Sequence, residues 1–318
     1  MAGGESLTTP ITTTYAGEFA GKYISAALLS GSTLANNLIT IKPNVKFKEV
    51  LKKAVSGDIV ADATCDFTKS TGVLALSERI LQPEEFQVNL ELCKKDFVSD
   101  WEAVQMGYSA YSDLPPNFSD FLIAHVADKV AQKVEQTVWN GTNATAGEFD
   151  GFLTTLGADS DVNDVTTTET SVTAANVIQE LGATADLIPS TVYGKEDLTI
   201  YVASNVYRAY VRALGGFGSI ASNAGANGTD NKGTQWFNGG ALTFDGINVE
   251  LAQGLPSNKM VAAEKSNLFF GTGLLSDHNQ VKVIDMADID GSQNVRIVMR
   301  YTAGIQHGIG GDVVLYSI

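Results

Sequence analysis

The feature that most constrains the fold is a long amphipathic helix, which the sequence predicts directly after Pro115-Pro116. Apolar residues recur there at every fourth position and therefore lie along one stripe of an α-helix. The stripe comprises Leu122, Val126, Val130, Val134 and Val138, flanked by Ile123, Ala127 and Ala131. Ser119 is the predicted N-cap and Asn140-Gly141 the predicted end. At about 1.5 Å per residue the helix would extend roughly 30 Å, which is long for a mixed domain of helices and strands.

The N-terminal part of the chain predicts an extended arm and a hairpin. Residues 1 to about 45 are rich in Thr, Gly and Ser, with one short helical pattern near residues 15–29. Residues 59–67 and 73–81 have the composition of strands and flank the turn-rich TKSTG segment, so they predict a long hairpin. Both of its faces carry polar residues. Such a hairpin cannot bury a core of its own and must lie on something else.

The second half of the chain predicts an α/β region followed by closing strands. Residues 173–187 predict a helix that ends at Pro189, and residues 198–203 predict a strand that leads into a capped helix ending at Gly215. The glycine-rich stretch 214–240 predicts a mobile loop. Four further segments alternate as strands do: GINVEL, QVKVIDM, NVRIVMRY and DVVLYSI. These patterns together predict an α+β fold.

The charge of the chain is strongly negative and unevenly distributed. The formal net charge is −15, so non-specific attraction to nucleic acid cannot be the main role of the surface. No Lys or Arg occurs from residue 134 to residue 194, where acidic residues are frequent. A short N-terminal stretch is instead rich in lysines, which are Lys42, Lys46, Lys48, Lys52 and Lys53. This asymmetry suits identical subunits that meet basic arm to acidic body.

The sequence also argues against a membrane or secreted protein. No segment approaches the roughly 18 uninterrupted apolar residues of a membrane span. The N-terminus has neither a basic start nor an apolar core, so we expect no secretory signal. Cys65 and Cys93 fit a reducing cytoplasm and provide no disulfide scaffold. We therefore expect a soluble protein that is made in a cytosol.

Two glycine-containing stretches imitate nucleotide-binding loops. Gly271-Thr272-Gly273 follows an apolar run, as a dinucleotide loop would. The next residues alternate like a strand, however, and supply no helix N-terminus for a pyrophosphate. Residues 16–22 approach a P-loop, but Tyr23 stands where a Mg²⁺-binding Ser or Thr is needed. We interpret the first stretch as a turn between strands and the second as part of the arm.

No motif predicts a metal site or catalysis. The run DSDVND at residues 159–164 resembles the start of a calcium loop, but Asp164 replaces the required glycine and Thr170 the required glutamate. Motifs of the G-x-S-x-G, H-E-x-x-H and C-x-x-C types are absent from the sequence. The histidines are scattered along the chain at His125, His278 and His307. The sequence therefore predicts no catalytic residue, no cofactor and no metal, and hence no enzyme.

Four stretches and the order of the elements together resemble a known family. The stretches are VEQTVWNG at the end of the long helix, EFDGFLTTLG after it, NLFFGTGLLSDHNQVKVID, and the final strands NVRIVMRYTAG and DVVLYSI. With the arm, hairpin, helix and α/β region in this order, the chain resembles the major capsid protein of tailed double-stranded DNA bacteriophages. The resemblance implies an arm at 1–45, an E-loop at about 58–98, a P-domain at 99–165 and 275–318 with a spine helix at about 119–140, and an A-domain at 166–274.

The resemblance also implies a function. Capsid proteins of this family assemble as hexamers and pentamers into an icosahedral shell that encloses double-stranded DNA without sequence-specific binding. Scaffolding, portal and decoration proteins would be additional partners, and no membrane would be involved. The protein would be found in the virion after assembly in the host cytoplasm.

The arm and E-loop of this family reach neighbouring subunits, which makes their lysines candidates for intersubunit contact. These candidates are Lys46, Lys48, Lys52, Lys53 and Lys69. Some members join subunits by an isopeptide bond between a hairpin lysine and an asparagine of a neighbour, and Lys69 in the TKSTG segment is the candidate here. We expect the hairpin at residues 59–81 to act as a clasp between subunits.

Two alternatives stay open at the level of sequence. An encapsulin-type nanocompartment uses the same fold to enclose enzymes, although the polar, arm-like start favours the viral version. Another phage structural protein, such as a tail tube or a surface-binding module, is the second alternative, but the long helix argues against such mostly-β architectures. The enclosed material, DNA or protein, would distinguish a phage capsid from an encapsulin.

Overall fold

A computed structural model of the chain describes residues 32–56, 60, 62, 65, 74–93, 116–214, 242–273 and 281–318. Four predicted features lie outside these residues: the arm pattern at 15–29 with the P-loop-like stretch, the TKSTG segment with Lys69, nearly all of the glycine-rich stretch, and His278. The chain divides into two compact units. One comprises residues 1–28, 88–126 and 281–299, and the other comprises residues 29–87, 127–280 and 300–318.

The described residues form six α-helices and thirteen strands. The helices are α1 (Ser32–Ala35), α2 (Pro116–Asn140), α3 (Phe152–Gly157), α4 (Val177–Asp186), α5 (Ser204–Leu214) and α6 (Ala287–Asp290), with short 3-10 helices at Lys265–Asn267 and Gly310–Asp312. The strands are β1 (Thr40–Lys42), β2 (Glu49–Ser56), β3 (Leu74–Leu81), β4 (Glu84–Cys93), β5 (Asn163–Asp164), β6 (Leu198–Val202), β7 (Leu242–Phe244), β8 (Ile247–Leu251), β9 (Lys259–Glu264), β10 (Leu268–Gly271), β11 (Val281–Asp285), β12 (Asn294–His307) and β13 (Val314–Ser317).

The larger unit is built around a mixed sheet with the strand order β5-β13-β9-β6-β8-β7. β6 pairs in parallel with β8 and antiparallel with β9, so it lies in the interior of the sheet. All five of its residues are buried, as expected for a strand covered on both faces. Helix α4 contacts both α5 and β13. The predicted strand at 198–203 and the helix after it are confirmed.

A second sheet in the larger unit contains β1, β10 and the C-terminal part of β12. β1 pairs in parallel with β10, and β10 pairs antiparallel with residues 304–307. In the smaller unit, β11 pairs antiparallel with residues 295–299 of β12. The predicted closing strands are therefore confirmed. Residues 40–42, which belong to the predicted arm, form part of a sheet.

The long helix is confirmed as α2, and it ends at Asn140 as predicted. It begins at Pro116, so the prediction that Ser119 is its N-cap is wrong. The physical reason is that proline fits the first turn of a helix, where its missing N–H is not needed. With 25 residues the helix extends roughly 37 Å. Four stripe residues are buried, which are Val126, Val130, Val134 and Val138.

The predicted hairpin exists, but the prediction of its first strand is wrong. β2 pairs with β3 in an antiparallel register from Glu49↔Leu81 to Ser56↔Leu74. β3 agrees with the predicted strand at 73–81. β2 lies entirely before the predicted strand at 59–67, and also before residue 58, where the predicted E-loop begins. Within 59–67, the described residues Val60, Asp62 and Cys65 are not in a strand. Aspartate and alanine are poor strand formers, and both recur in that segment.

The helix predicted over 173–187 is shorter, because α4 begins at Val177. The amide side chain of Asn176 accepts a hydrogen bond from the Thr173 N–H (2.7 Å) and donates one to the Ser171 carbonyl (2.9 Å). These bonds hold residues 173–176 as a turn in front of the helix. None of the described helices is long and apolar enough to cross a bilayer.

Candidate intersubunit surfaces

The base of the β2–β3 hairpin has two chemically different faces. We define the hairpin root as residues 49–52 and 78–81, whose register places alternate side chains on opposite sides. The inner face, which is buried or half-buried, comprises Glu49, Leu51, Arg79 and Leu81. The outer face, whose side chains are all exposed, comprises Val50, Lys52, Glu78 and Ile80. The root therefore packs on its own subunit with one face and presents the other to its surroundings.

The inner face is anchored in the core of the larger unit. Leu81 is fully buried and packs on Gly271, where an added Cβ would lie 2.9 Å from Leu81 Cδ2. The Gln306 side chain donates a hydrogen bond to the Ile80 carbonyl (3.1 Å). The sequence predicts that the hairpin at residues 59–81 is not part of the core of its own subunit, and for Leu81 that prediction is wrong. The inner face of the root belongs to the subunit's own core.

The outer face combines an apolar pair with a charge pair. Val50 lies directly opposite Ile80, and the two residues are 43% and 44% exposed. Lys52 lies opposite Glu78, a cross-strand arrangement of opposite charges that stabilises a hairpin modestly. Exposure of this apolar pair to water is unfavourable, so burial against another surface would lower its free energy.

The loop in front of β2 extends this exposed surface. Lys46, Phe47 and Lys48 are all exposed, Phe47 to 71%, and Lys48 Nζ lies 5.4 Å from the centre of the Phe47 ring. Together with the outer face of the root these three residues form what we call the hairpin surface. Of the five candidate lysines, Lys46, Lys48 and Lys52 lie on it. Lys53 is in β2 opposite Ser77, and Lys69 lies outside the described residues.

The turn Gly271-Thr272-Gly273 forms hydrogen bonds with the residues just before this loop. The Asn44 and Val45 N–H groups donate to the carbonyls of Gly273 (2.6 Å) and Thr272 (3.0 Å). The turn's own amides are also engaged, because the Thr272 N–H donates to the Lys42 carbonyl (3.1 Å) and the Gly273 N–H to Thr302 Oγ1 (2.6 Å). The donors that a phosphate would require are therefore used within the chain, and the turn serves to position the residues that lead into β2.

A partly buried charge cluster joins the hairpin root to the body, and we call it the Asp159 junction. Arg79 of β3 forms an ion pair with Asp159 Oδ2, and His307 Nε2 lies 2.8 Å from the same oxygen. Asp159 Oδ1 accepts the Asp161 N–H (3.1 Å). Burial raises the pKa of Asp159, but the hydrogen bonds from His307, Asp161 and Arg79 outweigh it and lower the pKa overall. The first acid of the calcium-like run is thus a structural anchor.

The sequence contains no signal for this junction. Arg79 and His307 are 80 and 148 positions away from Asp159, and the calcium-like run that contains Asp159 gives no indication of either partner. Burial lowers the pKa of His307, and Asp159 only partly opposes this effect. Glycines flank His307 in the sequence, and one of them, Gly310, contributes to the site. An added Cβ at Gly310 would overlap Asp159 Oδ2, so a side chain larger than hydrogen would displace the carboxylate.

A fully buried carboxylate, that of Glu135, holds Thr33 on the long helix. Glu135 of α2 is fully buried and accepts hydrogen bonds from the Thr33 N–H (3.1 Å) and the Thr33 hydroxyl. Trp139 Nε1 donates to the same hydroxyl (2.9 Å). Burial raises the pKa of Glu135, although the bonds from Thr33 partly compensate. Thr33, near the first described residue of the chain, is therefore held on the long helix.

The acidic part of the chain is also at the surface. Five acidic residues of the interval without Lys or Arg are exposed, which are Asp150, Asp161, Asp164, Glu169 and Asp186.

Among the described residues, no group of three or more His, Cys, Asp or Glu side chains is placed to hold a metal ion. An open cleft of about 570 Å³ lies between β4 and β12 and is lined by Glu85, Phe86, Gln87, Arg300, Tyr301 and Thr302.

Comparisons with known proteins identify the fold. No protein-family profile and no curated protein matches the sequence. Among solved structures, the capsid of an empty GTA particle matches with a TM-score of 0.60 and 14% identity, covering 92% of this chain and 91% of that chain. A chain of Mycobacterium phage Adephagia matches with a TM-score of 0.60 and 13% identity over 95% of both chains. A chain of Gordonia phage Cozz gives 0.59 and 12%, covering 93% and 89%.

These matches extend over nearly the whole chain. The described elements therefore form the fold of phage capsid structures, and the fold predicted from the order of elements is confirmed. The division into arm, E-loop, P-domain and A-domain stays a prediction, as does the role of each candidate lysine.

Proposed function

We propose that this chain is a structural protein that self-assembles into the icosahedral capsid shell enclosing a double-stranded DNA phage genome. The observation that carries the proposal is the match, over more than nine-tenths of the chain, to the capsid of a GTA particle. A structural role also suits a chain in which the nucleotide-like turn uses its amides internally. On this proposal the protein is not an enzyme and resides in the virion after assembly in the host cytoplasm.

We assign the contacts between subunits to the hairpin surface and the arm. The hairpin surface offers exposed apolar and cationic side chains together, which suits contact with a neighbouring subunit of an acidic protein. In this proposal Lys46, Lys48, Lys52 and Lys53 contribute to that contact, and Lys69 is a further candidate from the sequence. Hexamers and pentamers would be the repeating units, with residues 99–165 and 275–318 as the P-domain and 166–274 as the A-domain.

The charge of the chain supports enclosure rather than binding of the genome. With a net charge of −15, a closed shell would have little attraction for phosphate groups, and DNA would be retained because the shell is closed. Scaffolding, portal and decoration proteins would then set the size and openings of the particle. No membrane contact is part of this proposal.

Electron microscopy and gel filtration of the purified protein test the proposal. We expect closed particles or ring-shaped capsomers, because many weak contacts close a shell through symmetry. A 33.7 kDa monomer at every concentration, salt and pH, with no particles when phage partners are present, would contradict it. Particles isolated from infected cells should contain nuclease-protected DNA. A protein cargo without DNA would instead identify a nanocompartment.

A further inference from the structure

The hairpin root is held to the body by one carboxylate that receives two donors from different strands. Arg79 comes from β3 of the hairpin and His307 from β12 of the body, and both meet Asp159 Oδ2. The side chain of Asp159 is 12% exposed, that of Arg79 28% and that of His307 1%, so water screens these contacts only weakly. Arg79 lies two residues from Leu81, at which the hairpin enters the core. The position of this carboxylate therefore bears directly on the direction in which the hairpin leaves the body.

We propose that Asp159 is the positioning residue for the hairpin, and that the Asp159 junction is a latch that acid releases. In the latched state the carboxylate holds Arg79, and with it the inner face of the root. In the released state Arg79 is free and the root is held only by its remaining contacts. The latch itself does not depend on the proposed function, but its consequence, control of whether the hairpin surface is correctly presented for assembly, rests on that function.

The protonation state of His307 makes the latch sensitive to acid. A carboxylate can only accept a hydrogen bond, so the proton of the neutral ring lies on Nε2 and the other nitrogen carries none. Among the described residues no hydrogen-bond partner faces Nδ1, which is buried. Uptake of a second proton would therefore place an N–H without a partner in the interior, next to the cation of Arg79. The released state avoids this cost because the ring can reach water.

The direction of the effect follows from the groups that surround the ring. Asp159 and Arg79 are the charged groups that act on His307, while the 3-10 helix Gly310–Asp312 contacts the carboxylate through uncharged Gly310. The pKa of His307 is lowered below its ordinary value of 6.5, so the latched state binds fewer protons than the released state. The latch is complete above pH 6.5 and weakens as the pH falls below it. Asp159, whose pKa is also lowered, adds to this loss only below 3.8.

Hydrogen exchange of the unassembled chain tests the latch directly. The measured quantity is the protection of amides in β2 and β3, divided by the intrinsic exchange rate at each pH, at about pH 7.5 and about pH 5.5. A hairpin of two strands is marginally stable alone, so release of its root should expose these amides. We expect their protection to fall with pH by at most about tenfold per unit, the limit for uptake of one proton. Amides of β6 report unfolding of the whole unit and should not change.

Three variants and a control separate the latch from general destabilisation. His307→Gln keeps a donor for Asp159 but cannot titrate, so we expect hairpin protection that is high and equal at both pH values. Asp159→Asn should give low protection at both. Gly310→Ala changes no titrating group but displaces the carboxylate, and it should lower hairpin protection at neutral pH. Gly157→Ala is its control, because an added Cβ there meets nothing within 4 Å.

The proposal is overturned if His307→Gln loses protection with acid as the original chain does, or if Gly310→Ala protects the hairpin as well as Gly157→Ala does. If Gly310→Ala also loses protection in β6, it has unfolded, and the His307→Gln and Asp159→Asn results decide. None of these readouts requires particles. Failure of the latch would leave the capsid proposal intact, and failure to assemble would leave the latch measurable.

Discussion

At the scale of single residues, the hairpin root separates side chains that stabilise the subunit from side chains that face outward. Leu81 is fully buried against Gly271, so Leu81→Ala should leave a cavity and lower the free energy of unfolding by about 2–5 kcal/mol. Val50→Ala, in the same hairpin but exposed, should change it by no more than about 0.5 kcal/mol. Urea unfolding followed by circular dichroism measures both. Equal losses in the two variants would mean that the two-faced description of the root is wrong.

Glu135 should leave a signature in the pH dependence of stability. Burial raises its pKa above 4.5 in the folded chain, so between 4.5 and the raised value the folded state binds more protons than the unfolded state. The free energy of unfolding should therefore fall as the pH rises through this window and then become constant. Glu135→Gln should lack this slope. Urea titrations at a series of pH values compare the two chains, and identical slopes would show that Glu135 is not the group responsible.

At the scale of elements, local patterns predicted more than pairing did. The long helix and the strand at 198–202 were predictable because their apolar periodicity is contained within the segment itself. The partner of β3 was not, since antiparallel pairing depends on residues far along the chain, and β2 has no regular alternation in the sequence EVLKKAVS. The Asp159 junction was equally hidden, because it assembles side chains from three separate segments.

The outer face of the hairpin should matter for assembly but not for folding. Replacing Val50 and Ile80 together by serine removes the exposed apolar pair, which has no role in the core of the subunit. We expect a melting temperature close to that of the original chain and a marked loss of particles in gel filtration and electron microscopy. Ile178→Ser is a suitable control, because Ile178 is 51% exposed but lies on α4. Normal assembly of the double variant would rule out the hairpin surface as an essential contact.

At the scale of the whole molecule, the charge asymmetry predicts how assembly responds to salt. The hairpin surface carries Lys46, Lys48 and Lys52, whereas the chain as a whole has a net charge of −15. A cationic surface on an acidic subunit attracts the acidic surface of another copy, and salt screens this attraction over about 8 Å at physiological ionic strength.

Replacing Lys46, Lys48 and Lys52 together by glutamate should convert this attraction into repulsion. We expect the variant to fold, because all three side chains are exposed, but to remain unassembled at low ionic strength. Added salt should weaken assembly of the original chain and partly restore that of the variant, since screening reduces attraction and repulsion alike. Light scattering over a salt series measures both responses. Lys129→Glu, at an exposed lysine of α2, is the control for added negative charge elsewhere on the surface. If the original and triple-glutamate chains respond to salt in the same direction, contact between the hairpin lysines and acidic neighbours is not what drives assembly.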